Sequence, residues 1–421
     1  MANDLLPVEE ALSRILSAMP LMPAEEVPLT DAHGRTAAAD IAARRTQPPE
    51  AVSAMDGYAV RGADVAAAGA SLKRIGTAPA GHIFDGTVGP GEAVRIFTGG
   101  AVPDGADTIV IQEDVKASAE VDGATLEITE ATKTGAYVRP AGLDFREGDV
   151  RIKTGRVLTA RDIGMAAAMN VPWIEVRRKP RVAILPTGDE IIRPGDPTGP
   201  NKIVSSNSYA LAALVRACGG EPTILGIAPD TVEGLQAMVR GAKGADILIT
   251  TGGASVGEHD LVRHALGSDK FGPGGLELDF WKIAMRPGKP LIFGHIGDTP
   301  LLGLPGNPVS TIVCGTVFLR PAISAMLGRT EPDNRTLKAR LAMPLKENDR
   351  RQDYLRATYH LDENGEAVVE IFERQDSSML ARHTARRSLP APKSMFFPLV
   401  SAPFQSDLPL DQRLDAEQEP K

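Results

Sequence analysis

The chain has 421 residues, of which 43% are hydrophobic and 24% charged, with a formal net charge of −8. That composition is soluble and globular, and the length exceeds one compact core, so two to four domains are expected. The negative balance and an aromatic content of only 4% exclude the basic patches and stacking platforms of a nucleic-acid binder.

The opening, MANDLLPVEE, carries neither the basic region nor the apolar region of a signal peptide. Cys218 and Cys314 are the only cysteines and give no disulfide framework, which points to a reducing cytoplasm. The most apolar stretch, Pro300 to Leu319, is interrupted by Gly303, Pro305, Gly306, Asn307 and Pro308. It is not expected to span a bilayer.

Residues 5 to 19 have helical periodicity, ended by Pro20 and Pro23. From residue 56 to residue 138, short β-like runs alternate with Gly and Pro, which reads as a small β-rich domain. Within it, the Thr98-Gly99-Gly100 turn of RIFTGGAVPDGAD is a backbone loop suited to a ligand, although a tight β-connection has the same text. Thr159 heads an alanine-rich capped helix, VPWIEV is a strand, and Pro180 is a hinge. After Pro180 the rhythm becomes strand and helix in alternation, the pattern of a doubly wound α/β domain. After Gly328 the text is strand-like again and reads as a small β-domain.

The centre of the α/β domain is ADILITTGGASVGEHD, residues 245 to 260. An apolar strand ends there in Gly252 and Gly253, which let a ligand approach the backbone. Such a turn at the carboxyl edge of a parallel sheet suits an anion. Glu258 and Asp260 add carboxylates, an odd choice for phosphate alone, so a metal-bridged phosphate is indicated; a plain βα turn with an acidic rim has the same spacing. Glu190, Asp230 and Asp260 each follow a strand of the same sheet. Oxygen ligands from separate loops suit Mg²⁺ held against phosphate oxygens. Lys282, Arg286 and Lys289 bring positive charge to that edge. His259 is either a ligand or a base, or a solvated loop histidine. Neither a P-loop, a dinucleotide fingerprint nor a zinc motif occurs.

SAMDGYAV, RIFTGGAVPDGAD, LPTGDE, TTGGASVGEHD, FWKIAMRPGKP and GLPGNPVS follow one another in this order. Together they resemble the molybdopterin molybdenumtransferase family, which includes the gephyrin E-domain, over roughly residues 1 to 380. The resemblance implies a multidomain α/β protein. Residues 1–46 and 139–178 would form an elongated domain, and 47–138 an inserted β-rich domain. Residues 179–329 would form a doubly wound molybdopterin-binding α/β domain, and 330–421 a C-terminal β-domain. It implies insertion of molybdate into adenylylated molybdopterin with release of AMP, by a homodimer whose sites use both subunits. A complex with the molybdopterin adenylyltransferase is left open.

Carried over motif by motif, the resemblance assigns catalytic roles to Asp56, Thr98, Asp144, Glu190, Asp230 and Asp260, the last three around Mg²⁺. It assigns substrate binding to Arg139, Gly252, Gly253, Ser255, Lys282, Arg286 and Lys289. Pro305 and Pro308 would shape a binding loop, and Arg351 and Ser377 would meet molybdate, an oxyanion that Arg, Ser and backbone N–H groups suit. Three departures stand out. Arg286 replaces a lysine common in relatives, and Ser205 replaces an aspartate. After about Thr384 the text is divergent, and Pro390, Pro392, Pro398 and Pro403 would interrupt a central strand. A sibling adenylyltransferase, a nucleotide pyrophosphatase or a non-catalytic scaffold are the other readings. The first two usually place Leu-Gly-Pro after the glycine pair, where this chain has Ser255-Val256-Gly257-Glu258.

Overall fold

The computed structural model describes residues 5–79, 81–252, 265–267, 271, 274–330, 339–345, 349, 351–379 and 399–402. Gly253, Ser255, Glu258, His259 and Asp260 lie outside these residues, so the expectations placed on them are not addressed by it.

Helix α1 (Val8–Ser17) buries Val8, Ala11 and Ile15 along one stripe at helical spacing. That stripe joins the core of the α/β domain, beside Val182, Phe280 and Ile323. The Leu6 N–H donates to the Lys282 carbonyl at 3.2 Å, and the Ala284 N–H to the Leu6 carbonyl at 2.8 Å. Residues 5 to 17, expected in the elongated domain, therefore pack with the α/β domain. An isolated amphipathic helix of this length is marginal until its apolar face is covered.

Strands β1 (Ala24–Pro28) and β2 (Ile41–Ala42) come next, and β3 (Val52–Ser53) opens the inserted domain. That domain holds β4 (Gly57–Val60), β5 (Ser71–Ala78), β6 (Glu92–Ile96), β7 (Thr108–Ile111), β8 (Val115–Ala117) and β9 (Thr125–Ile128). They form one sheet of order β7-β4-β6-β5-β9-β8. Tyr58 and Val60 face one core and Ala59 the other, so central β4 is buried on both faces. Strand β10 (Val138–Arg139) pairs with β3 and closes the insertion.

The chain then returns as β11 (Val150–Ile152), α2 (Ala160–Ala168) and β12 (Trp173–Arg177). β11 pairs with β2 and β12 with β1, so one core is assembled from two separated segments. Thr159 caps α2 in a reciprocal capping box with Asp162.

The α/β domain comprises β13 (Arg181–Pro186), β14 (Ile191–Ile192), β15 (Ile203–Val204), α3 (Asn207–Ala217) and β16 (Glu221–Ile224). It continues with α4 (Val232–Arg240), β17 (Ile247–Thr251), β18 (Leu276–Phe280), β19 (Met285–Arg286), β20 (Ile292–Ile296) and β21 (Thr299–Leu304). Its sheet has the order β16-β13-β17-β21-β20-β18, and the first four strands are parallel. β20 and β18 run antiparallel at one edge, as mixed α/β sheets often do. Helix α5 (Pro308–Met326) is α-helical at both ends with a π turn at Gly315–Leu319. By length and composition it could cross a membrane, but 78% of its apolar window is buried within the protein. The break expected in this region lies at Pro305–Asn307; from Pro308 the helix is continuous.

The last domain contains β22 (Arg340–Leu341), β23 (Gln352–Leu361), β24 (Ala367–Ile371) and β25 (Leu399–Ala402). β23 pairs with β19, β24 and β25. β25 is a four-residue strand, and Pro390, Pro392, Pro398 and Pro403, expected to interrupt this region, lie outside the described residues.

Candidate active site

Parallel strands end on one edge of a sheet, so β13, β16, β17 and β21 deliver their following loops to the same place. After β13 come Thr187, Gly188, Asp189 and Glu190; after β16, Ala228 and Asp230. The two loops are joined reciprocally: the Asp189 N–H donates to Asp230 Oδ2 and the Asp230 N–H to Asp189 Oδ1, both at 3.2 Å. Gly188, at φ +132°, lies beneath the Glu190 carboxylate, and a Cβ there would stand 2.7 Å from Oε2. Three carboxylates from two loops thus share one patch. Asp189 was not among the expected residues, although the first acid of LPTGDE was a visible signal. Its N–H and side chain build the patch from both sides.

Gly252 follows β17 at φ +90°, and a Cβ on it would meet the Thr187 carbonyl oxygen at 2.4 Å. Gly306, after β21, would place a Cβ 3.3 Å from the Gly252 Cα. Asn207, at the start of α3, ties these loops together: its Nδ2 donates to the Gly306 carbonyl at 2.6 Å and to Thr251 Oγ1 at 3.2 Å. Pro305 and Pro308 flank this turn, and Pro308 begins α5, where its missing N–H costs nothing. Thr311 Oγ1 donates to the Pro305 carbonyl at 2.5 Å, holding the loop from within. Ser377 reaches the same loop from the last domain. Asn307 Nδ2 donates to Ser377 Oγ at 3.0 Å, and the Val309 N–H to the Ser377 carbonyl at 2.9 Å.

The expected cations fall into different roles. Lys289 is exposed. The Lys282 ammonium stands 3.9 Å above the Trp281 ring. Arg286, expected to take an anion, spends its guanidinium on buried Asp353 and lies 3.6 Å from Asp349. Arg351, expected to meet molybdate, grips Asp349 with Nε and Nη2. That contact holds the Asp349 carboxyl down at about 2. The arginine behind the Ser377 turn is Arg356, which the sequence reading missed. It is 2% exposed. Its Nη1 donates to the Met379 carbonyl at 2.9 Å, and its Nη2 to those of Arg374 and Asp376 at 3.0 Å each.

Arg286→Ala is expected to lower stability by about 1–2 kcal/mol, the loss for a stranded buried carboxylate discounted because the arginine is half exposed. Arg286→Lys should recover part of this through one charged bond instead of a fork. Urea unfolding measures it, and an unchanged midpoint for the alanine variant would mark the pair as incidental.

A second cluster sits on the inserted domain. Asp56 Oδ1 accepts the Thr98 N–H and the Thr98 hydroxyl, both at 2.8 Å. These bonds, aided by the Arg95 charge, hold its carboxyl below the usual carboxylate range. Asp56 is therefore an anionic acceptor at neutral pH. Arg139 and Asp144 line a cleft of about 670 Å³ between the inserted and elongated domains, with Arg45, His82 and Glu50. No hydrogen bond described above joins the two clusters, so the expected residues form two sets. One is the acid-and-loop edge of the α/β domain, and the other the Asp56 and Arg139 surface.

Among the described residues, no group of three or more His, Cys, Asp or Glu could hold a metal alone. Mg²⁺ needs only one or two carboxylates when substrate phosphates and waters complete its shell. Glu190 and Asp230 fit that pattern.

Known proteins align with this chain over most of its length. Residues 6–170 match the family described as "MoeA N-terminal region (domain I and II)", and residues 183–325 match "Probable molybdopterin binding domain". The molybdopterin molybdenumtransferase of Haemophilus influenzae is 32% identical over 382 residues, covering 90% of this chain and 92% of the relative. That of Nostoc sp. is 36% identical over 346 residues, covering 80% and 77%. A solved moeA protein of Pyrococcus horikoshii OT3 superposes with a TM-score of 0.80 at 26% identity, over 98% of this chain and 99% of that one. A second Pyrococcus structure gives 0.74 at 31% identity, over 88% and 90%.

Proposed function

The chain belongs to the molybdopterin molybdenumtransferase family, and we propose that it makes molybdenum cofactor by inserting molybdate into adenylylated molybdopterin, releasing AMP. The observation that carries this reading is the meeting of two unlike groups on one sheet edge. The Glu190 and Asp230 carboxylates stand with the glycine corners at Gly252 and Gly306, and the Ser377 turn is docked onto the last of these loops.

The glycine corners let the pyrophosphate of the substrate lie against the backbone, with exposed Lys289 countering its charge. Glu190 and Asp230 would hold Mg²⁺, which when bound neutralises phosphate oxygens; Asp260, outside the described residues, joins them on its place in the sequence and on the resemblance. Ser377 and nearby backbone N–H groups suit a tetrahedral oxyanion, and Arg356 keeps that turn in shape. Cys218 and Cys314 are buried and not joined in a disulfide, which fits a reducing cytoplasm, the compartment we propose. Association with the molybdopterin adenylyltransferase would pass the adenylylated substrate directly.

Asp56, Thr98, Arg139 and Asp144 lie on other domains than this edge, so a second copy of the chain is proposed to complete each site, in a two-fold dimer. Light scattering at micromolar concentration should give about twice the 44.5 kDa chain mass; a fully active monomer would remove the shared site. The function itself is tested by supplying purified protein with adenylylated molybdopterin, Mg²⁺ and molybdate. AMP and active cofactor are expected, and a fully folded protein producing neither would refute the reading.

A further inference from the structure

Thr187 follows β13 and is 4% exposed. Its backbone N–H is engaged, donating to the Thr251 carbonyl at 3.0 Å, and residues 187 and 228 form a parallel bridge. Its hydroxyl is different. Among the described residues Oγ1 is buried and has no hydrogen-bond partner. It stands 3.5 Å from where a Cβ on Gly252 would be, and Gly252 in turn abuts Gly306. The hydroxyl therefore lies beside the corner formed by Gly188, Gly252 and Gly306.

A buried hydroxyl without a partner is costly to the folded state, and a threonine that served only packing would gain by being valine. We infer that Thr187 is a substrate-binding residue, its hydroxyl donating to a phosphate oxygen of the anionic substrate seated against Gly252. Three features support a phosphate as the acceptor. The hydroxyl can donate, which an oxyanion requires. Gly252 has no side chain and a left-handed backbone, so the ligand can come within contact distance of the main chain. The neighbouring Asn207 amide is committed to the Gly306 carbonyl and Thr251 Oγ1, whereas among the described residues the Thr187 hydroxyl has no partner at all. This rests on the function proposed above and adds a specific contact to it.

The test compares Thr187→Val and Thr187→Ser with the parent. Without ligand, the valine variant should unfold at the parent's temperature or above, because an unpaired hydroxyl has been removed. Its KM for adenylylated molybdopterin should rise roughly ten- to a hundredfold, the range of one hydrogen bond to a charged group, with kcat changed much less. The thermal shift produced by Mg²⁺ with inorganic pyrophosphate should shrink in parallel. Thr187→Ser keeps the hydroxyl and should restore both readouts to within a few-fold. A valine variant that is less stable, or does not fold, would show that the hydroxyl has a structural partner and overturn the inference. So would a stable valine variant with parental KM and pyrophosphate shift. If the parent itself releases no AMP, the function fails, whereas an active parent with an indifferent valine variant removes only the role of Thr187.

Discussion

Replacing Glu190 by Gln and Asp230 by Asn together should reduce AMP release by about 10²- to 10⁴-fold, the range for a lost catalytic or metal-binding group. The fold should hardly respond. Glu190 is exposed and Asp230 half-buried, and substitutions at such positions usually shift stability by under about 0.5 kcal/mol. Amide replacements are chosen for a structural reason. Asp230 Oδ2 accepts the Asp189 N–H, and asparagine keeps an oxygen that can do the same. The two loops stay joined while the negative charge is lost, so the experiment separates charge from architecture. Raising Mg²⁺ should recover part of the activity of each single variant, since a weakened site is refilled by mass action. Parental turnover in the double variant, measured at saturating substrate and molybdate, would end the assignment of these acids to the reaction.

Arg356→Ala should be the most destabilising single change in the last domain, by roughly 3 kcal/mol or more, because it strands buried carbonyls and opens a cavity. The side chain is large and fully buried, and its fork holds the carbonyls of Arg374, Asp376 and Met379 around Ser377. Arg356→Lys keeps the charge but cannot span three acceptors, so it should fold yet hold the Ser377 turn loosely. The expected signature is a raised KM for molybdate with a smaller change in KM for the pterin substrate. Arg351→Ala provides the contrast. That arginine is bound to Asp349 near the surface, and its loss should cost no more than about 1 kcal/mol. Calorimetric unfolding of the two alanine variants checks the ranking; a larger loss from Arg351→Ala would reverse the roles given to the two arginines.

Much of this organisation was legible without coordinates. ILITT followed by two glycines announces a buried strand and a tight turn, and β17 is buried along its whole length. Thr159 ahead of an alanine-rich run announces a capped helix, and the reciprocal Thr159–Asp162 box is present. Likewise, Glu190 and Asp230 follow parallel strands, and parallel strands end on one edge whatever their side chains are. Local propensity and a topological rule suffice for such conclusions, and the loops after β13 and β16 do meet, through Asp189 and Asp230.

Side-chain partners were another matter. Arg351 and Arg356 read alike in the sequence, but Arg351 stands just before β23 while Arg356 lies within it. One meets Asp349 and the other the interior behind Ser377, a distinction set by pairing with β24 and the turn after it. Arg286 is equally opaque, because its acids arrive from more than sixty residues further along the chain. The amphipathic stripe of α1 required a covered face, yet nothing in its spacing named the α/β core over the neighbouring elongated domain. The unpartnered hydroxyl of Thr187 exists only once three loops have closed around it. Periodicity records which faces must be buried and which turns must bend. Which groups then find one another is decided by long-range packing, because a charge or hydroxyl has many chemically equivalent partners and the folded chain leaves few within reach.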